Sequence, residues 1–302
     1  LSYFEHNAAN YLRHMPNVNR LFIVTDEGIA EQGFADEITD IISKRRGTKE
    51  YEVFKAVSLN PTTDIVKDGV HRMNIFKPDV IIAIGGGSVM DAAKAMRLFY
   101  ENPDMSFEDA YQKFLDIRKR VVRFPTSNDV QLVCIPTTSG TGSEVSPVAI
   151  IKDTKTGIKH TLCDYALIPD VSIVDDQFVE KLPKRLIAWS GFEALGHAIE
   201  SYVSTMATDF TRGWSIEAIQ TIFNNLKASY DGDLDARKRM HDAATIAGMA
   251  YSNAFLGLEH SIAHTVGSTF DMPSGVSDAI ALPQVIRFNA KRPKKLAMWP
   301  HY

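Results

Sequence analysis

Apolar residues in the first half of the chain fall into short unbroken runs. Longer stretches separate these runs, and in them apolar residues recur every three or four positions. The runs are residues 20–25, 51–57, 79–84 and 131–135, and the stretches with helical spacing are 29–44, 63–76 and 90–100. A short continuous apolar run bounded by turn residues suits a strand buried on both faces, whereas a period of 3.6 gives a helix with one apolar face. Their alternation predicts a parallel sheet covered by helices. Further strand-like pieces lie at 148–152, 160–163 and 171–174. After Pro183 the strand signals stop, and 187–204, 211–230, 234–254 and 258–269 all carry helical spacing. The pattern predicts an α/β domain over residues 1–182 and an all-helical domain over residues 183–302.

Composition narrows the function classes. With 45% hydrophobic residues in 302, the chain can bury a sizeable core. Its net charge of −4 argues against a nucleic-acid partner, and the basic run Arg118-Lys119-Arg120 is short enough to read as a solvated face. Cys134 and Cys163 form no CxxC pair and read as buried thiols of a reduced, cytoplasmic protein. No stretch has the length of a membrane span, and none reads as a signal peptide. The chain opens on Leu1 and ends on Met298-Trp299-Pro300-His301-Tyr302 without a cap or polar tail, which reads as a piece of a longer polypeptide.

Two loops offer ligand chemistry. Gly85-Gly86-Gly87-Ser88 follows the strongest strand signal and opens a helix. There, exposed backbone N–H groups and the positive end of the helix dipole suit a pyrophosphate. It is neither GxGxxG nor a P-loop, and a bare strand-to-helix turn is the alternative reading. Pro136-Thr137-Thr138-Ser139-Gly140-Thr141-Gly142-Ser143-Glu144 puts hydroxyls and glycines at the end of another strand, where open α/β sheets bind ligands. In the helical half, Glu193 and His197 lie four apart, as do His260 and His264, so each pair shares a helix face. Such inward pairs on facing helices can build a metal site, and singly they read as ion pairs or satisfied polar contacts. The glutamate of Glu259-His260-Ser261-Ile262-Ala263-His264 precedes its first histidine, so the run is not the H-E-x-x-H motif. His6, His14, His71 and His241 have no partner spacing and read as surface residues.

Gly85 to Ser88 with Asp91 and Lys94, Thr137 to Thr141, Gly191 to Glu200, and Gly257 to His264 together resemble the iron-containing (group III) alcohol dehydrogenases. The likeness is greatest to the alcohol dehydrogenase part of bifunctional aldehyde–alcohol dehydrogenases, and it covers nearly the whole chain. It implies a Rossmann-like NAD-binding domain followed by a helical metal and substrate domain, lacking a helical segment that the family has beyond Tyr302. It places Asp26 on the adenosine ribose, favouring NAD over NADP, although an Asp after a strand equally suits a helix cap. By the same likeness Asn60 lines the cofactor cleft and Gly86, Gly87 and Ser88 hold the pyrophosphate. Thr137, Thr138, Thr141 and Lys159 line the nucleotide and nicotinamide side, with Leu186 packed nearby. The family's metal is held by an Asp and three His, and those positions read Glu193, His197, His260 and Ser274 here. His264 matches the histidine beside nicotinamide and substrate and is implied to relay the proton.

Glu193 is one methylene longer than the family's ligand, and Ser274 is a poor ligand for a transition metal. Three protein ligands plus water or substrate is a normal catalytic arrangement, so a divalent iron or zinc ion is expected to bind weakly. Asp271 is a neighbouring carboxylate that could stand in. The implied reaction is hydride transfer between NAD and a small primary alcohol or aldehyde. The alternatives are a filament-forming structural module with an impaired site, and a glycerol or polyol dehydrogenase. A homo-oligomer is expected in each case.

Overall fold

The computed structural model describes residues 2–3, 6–15, 18–45, 50–111, 124, 129–270 and 272–291. The basic run at 118–120, Asp271 and residues 298–302 lie outside the described residues. The chain divides into two compact units. One is Leu1–Thr137 with Ser143–Val179, and the other is Thr138–Gly142 with Glu180–Tyr302.

The first unit is built on β1 (Ser2–Tyr3), β2 (Arg20–Val24), β3 (Glu50–Phe54), β4 (Val80–Gly85), β5 (Gln131–Pro136) and β8 (Val171–Ile173). They form one sheet in the order β1-β8-β5-β4-β2-β3, with every neighbouring pair parallel. Between β5 and β8 in sequence, β6 (Val148–Lys152) and β7 (Lys159–Cys163) make a separate antiparallel hairpin. The helices are α1 (Glu27–Glu31), α2 (Phe34–Ser43), α3 (Thr63–Phe76), α4 (Gly87–Glu101) and α5 (Phe107–Ala110).

The unbroken apolar runs have their expected cause. Phe22, Ile81 and Leu132 lie side by side in register and pack on one face with Val66 and Met73 of α3 and Met90 and Met96 of α4. Ile23, Ile82 and Val133 point the other way, onto Ile38, Ile41 and Ile42 of α2. Each fully buried side chain of this size contributes roughly 1.5–3 kcal/mol. The single helix expected over 29–44 is two helices, because Gly33 takes φ 83° between α1 and α2. That left-handed conformation ends one helix and starts the next, and glycine adopts it without a Cβ penalty.

The second unit is helical: α6 (Lys184–Val203), α7 (Asp209–Asp231), α8 (Leu234–Ala254), α9 (Leu258–Phe270) and α10 (Ser274–Asn289). Pro183 precedes α6, Thr208 caps α7 through the Thr211 amide, and Asp233 caps α8 through the Ala236 amide. Alanines 198, 218 and 247 pack together on α6, α7 and α8, where small side chains let helices approach closely. The N-terminus of α9 is satisfied from another helix, since Glu200 of α6 accepts the amides of Gly257, Glu259 and His260. Helix α10 was not anticipated. Its entry, Met272-Pro273-Ser274-Gly275, reads as a turn, and Pro283 inside it reads as a break. Packing overrides both signals. Among the described residues no helix is long and apolar enough to cross a membrane.

Candidate functional site

In the first unit the residues expected to hold a nucleotide gather at the carboxyl ends of the strands. Asp26 follows β2 and caps α1, accepting the Ile29 amide at 2.9 Å. Gly86 is the N-cap of α4, and Gly86, Gly87 and Ser88 are half-exposed at that terminus. The Ser88 hydroxyl donates to the Leu59 carbonyl, which brings the Asn60 loop to the same end of α4. The Thr137 amide donates to the Gly85 carbonyl at 3.0 Å, so the Thr-rich loop starts beside the glycine run. Lys159 pairs with Lys152, whose amide donates to Pro61 at 2.8 Å.

Asp91 and Lys94 are parts of the scaffold. Lys94 is fully buried and donates to Ser143 Oγ at 2.9 Å, the Ser146 carbonyl at 2.9 Å and the Val148 carbonyl at 2.8 Å. Asp91 accepts from Ser143 Oγ at 2.7 Å and the Ile150 amide at 2.9 Å. Burial draws the Lys94 pKa down while the Asp91 charge opposes the shift.

In the second unit the segment Thr138–Gly142 lies against α6 and α8. Ser139 Oγ meets His241 Nδ1 at 3.1 Å, and the Tyr251 hydroxyl donates to the Thr141 carbonyl at 2.9 Å. His241 is therefore a buried core residue, contrary to the surface reading, while His6, His14 and His71 are exposed. Periodicity carries no sign of a loop that arrives from elsewhere to meet it. Similarly, Cys134 is buried but Cys163 is only half-buried. Leu186 is half-buried on α6, and its carbonyl accepts from Ser190 Oγ at 2.7 Å.

Glu193 and His197 stand one turn apart on α6. His197 is buried, with Nδ1 at 3.2 Å from the Gly140 carbonyl. Burial first, then the charge of His260, holds its pKa well below the usual histidine range, so the ring is neutral. The His260 ring lies 4.5 Å from that of His197, and the ring of exposed His264 lies 5.8 Å from that of His260. His260 Nδ1 is 3.1 Å from Glu200 Oε2 and 2.6 Å from Glu259 Oε2. Burial opposes charge on His260, but the hydrogen bonds to Glu200 and Glu259 outweigh it and hold the pKa up to about 10.

The donor set expected for a metal comes together in part: the His197 and His260 rings face each other, and His260 Nε2 is buried without a hydrogen-bond partner. Ser274 is exposed at the start of α10. Among the described residues of this unit, the donor atoms of Glu193, His197 and His260 do not all come within 4.8 Å of one another, whereas those of Glu200, Glu259 and His260 do. Spacing offered one sign of Glu200, which continues the Glu193–His197 stripe after three more residues. It offered none for Asp278, a buried carboxyl on α10 that meets Glu259.

The family description "Iron-containing alcohol dehydrogenase" matches residues 2–176, and "Fe-containing alcohol dehydrogenase family, C-terminal" matches residues 187–298. Aldehyde-alcohol dehydrogenase 2 of Entamoeba histolytica is 50% identical over 99% of this chain and 35% of its own length. The NADPH-dependent butanol dehydrogenase of Clostridium saccharobutylicum is 39% identical over 96% of this chain and 72% of its own. The solved structure of the iron-containing alcohol dehydrogenase from Thermococcus thioreducens superposes with a TM-score of 0.89 at 32% identity, over 96% of this chain and 75% of that one. Against aldehyde-alcohol dehydrogenases of Entamoeba histolytica and Streptococcus pneumoniae, the chain spans about a third of the relative's length, 35% and 34%. The chain belongs to the iron-containing alcohol dehydrogenase family.

Proposed function

We propose that this chain transfers a hydride between NAD and a small primary alcohol or aldehyde. The carrying observation is that a family member's glycine run, Gly86-Gly87-Ser88, opens the long helix α4 beside the carboxyl ends of β2, β4 and β5. Backbone N–H groups at that terminus hold the pyrophosphate, and Asp26 takes the adenosine ribose. Asn60, Thr137 and Lys159 line the remainder of the cofactor. The nicotinamide supplies the hydride chemistry, and the protein supplies position. Aldehyde reduction consumes one proton with the hydride, and exposed His264 exchanges it with solvent. When bound, a divalent cation would polarise the substrate oxygen, with Glu193, His197 and His260 as its proposed donors.

The test is anaerobic oxidation of NADH and of NADPH by acetaldehyde, with ferrous iron or zinc supplied and then chelated, and with glycerol dehydrogenation as a comparison. The expected result is acetaldehyde-dependent NADH turnover that chelation abolishes. Failure of both cofactors to bind would overturn the reading. A preference for NADPH would remove the assignment of Asp26, and one for glycerol would favour the polyol reading.

One observation favours a second reading, in which the chain serves as a self-assembling structural module. Ile216, Phe223 and Tyr230 recur every seven residues along α7, and Phe223 is 69% exposed. Exposed apolar stripes of this kind mark association surfaces. Sedimentation that finds only monomer would dismiss it.

A further inference from the structure

The two nitrogens of His260 stand in different surroundings. At Nδ1 the ring meets Glu200 Oε2 at 3.1 Å and Glu259 Oε2 at 2.6 Å. Nε2, on the other edge of the ring, is buried and has no hydrogen-bond partner. His197 follows the same rule with a different acceptor, its Nδ1 lying 3.2 Å from the Gly140 carbonyl. A neutral imidazole carries its proton on one nitrogen alone, so an acceptor at Nδ1 leaves the Nε2 lone pair for a cation. Ligand histidines are commonly oriented in this way by a carboxylate or a backbone carbonyl on the second nitrogen.

Of the two acids beside His260, only Glu200 can fix the ring relative to α6. Glu259 is the neighbour of His260 on α9 and moves with it. Glu200 belongs to α6, which also carries Glu193 and His197. Its carboxylate is held in turn by the amides of Gly257, Glu259 and His260 at 2.8, 2.7 and 3.2 Å. Two glycines leave room for the contact. A Cβ at Gly257 would lie 2.7 Å from Glu200 Oε1, and one at Gly196 would lie 3.2 Å from the His260 ring.

We propose that Glu200 is a positioning residue, whose carboxylate keeps a proton on His260 Nδ1 and so presents Nε2 to a cation shared with Glu193 and His197. The cation rests on the proposed function, while the hold of Glu200 on the ring rests on this geometry. The tight grouping of Glu200, Glu259 and His260 is then the support behind a ligand.

The experiment is nitrogen NMR of the histidine-labelled whole chain, with and without Zn2+, beside equilibrium dialysis against Zn2+ or Mn2+. In wild type, His260 Nδ1 is expected to carry a proton in both states, and Zn2+ to shift the Nε2 signal. A glutamine at 200 can turn an N–H toward Nδ1 where the carboxylate accepted. In Glu200→Gln, Nδ1 is therefore expected to lose its proton, and affinity for either ion to fall roughly ten- to hundredfold. Glu259→Gln is expected to keep the Nδ1 proton and near wild-type affinity. A role in folding alone would lower the melting temperature of Glu200→Gln with the Nδ1 proton in place, and would overturn the proposal. The reverse pattern between the two variants would also overturn it. Should Glu200→Gln misfold, wild type decides, since a proton on Nε2 alone excludes the role. Equal binding by wild type and Glu200→Gln keeps the cation and sinks this proposal. Loss of the Nδ1 proton in Glu200→Gln, with neither ion bound by wild type, keeps the hold of Glu200 on the ring and removes the cation.

Discussion

Lys94 is an ammonium group held by one loop: two serine hydroxyls and two backbone carbonyls from Ser143, Ser146 and Val148 surround it. Replacing it with methionine leaves those carbonyls and Asp91 buried without their cation. Lys94→Met is therefore expected to lower the unfolding free energy by about 3–5 kcal/mol in denaturant titrations. Wild-type stability in the variant would mean that the loop re-forms its bonds another way. Cys134 gives a sharper residue-level outcome. Burial pushes its thiol up to about 12, so below that pH it stays protonated and poorly nucleophilic. A disulfide-exchange reagent at pH 8 should leave it untouched until the chain unfolds, and prompt reaction would contradict the burial. At this scale the sequence showed residue types and spacings, and so it singled out Glu193, His197, His260 and His264 as candidates. It could not show which buried groups converge from distant segments. His241 meeting Ser139 and Asp278 meeting Glu259 are tertiary facts with no periodic signature.

Elements were legible in proportion to their length and to the regularity of their apolar pattern. The expected helix over 63–76 coincides with α3, and that over 234–254 coincides with α8. Helix α10 was hidden because its proline and glycine are tolerated only through contacts with other helices. Gly275 is the clearest case: a Cβ there would lie 1.9 Å from the Trp189 carbonyl oxygen, a backbone atom of α6 that cannot swing aside. Gly275→Ala should therefore force α10 away from α6 and cost about 1–3 kcal/mol. Ser274→Ala, one residue earlier and exposed, should change stability by no more than about 0.5 kcal/mol. Thermal melts of the two variants side by side provide the measurement. Equal losses would show that the N-terminal turn of α10, and not its contact with α6, sets the sensitivity.

At the scale of the molecule, the change of character after Pro183 was visible because a parallel sheet and a helical bundle need different apolar periods. Strand order was not visible. The edge strand β1 is two residues long, too short for any period, and pairs with β8 some 170 positions later, Ser2 beside Ser172. Two compact units with separate ligand expectations make a joint prediction for hydrogen exchange. A ligand present at 100 times its Kd stabilises what it binds by about 2.7 kcal/mol, which slows exchange roughly 100-fold for amides that open only with that structure. NADH is therefore expected to slow amides at the end of β4 and the start of α4. Mn2+ is expected to slow those in the middle of α6 and in the first turns of α9, where Glu193, His197 and His260 sit. Slowing by Mn2+ elsewhere in the second unit, with the middle of α6 unchanged, would remove the Glu193–His197–His260 assignment. Slowing spread evenly over both units would mean that neither ligand acts through the residues assigned to it.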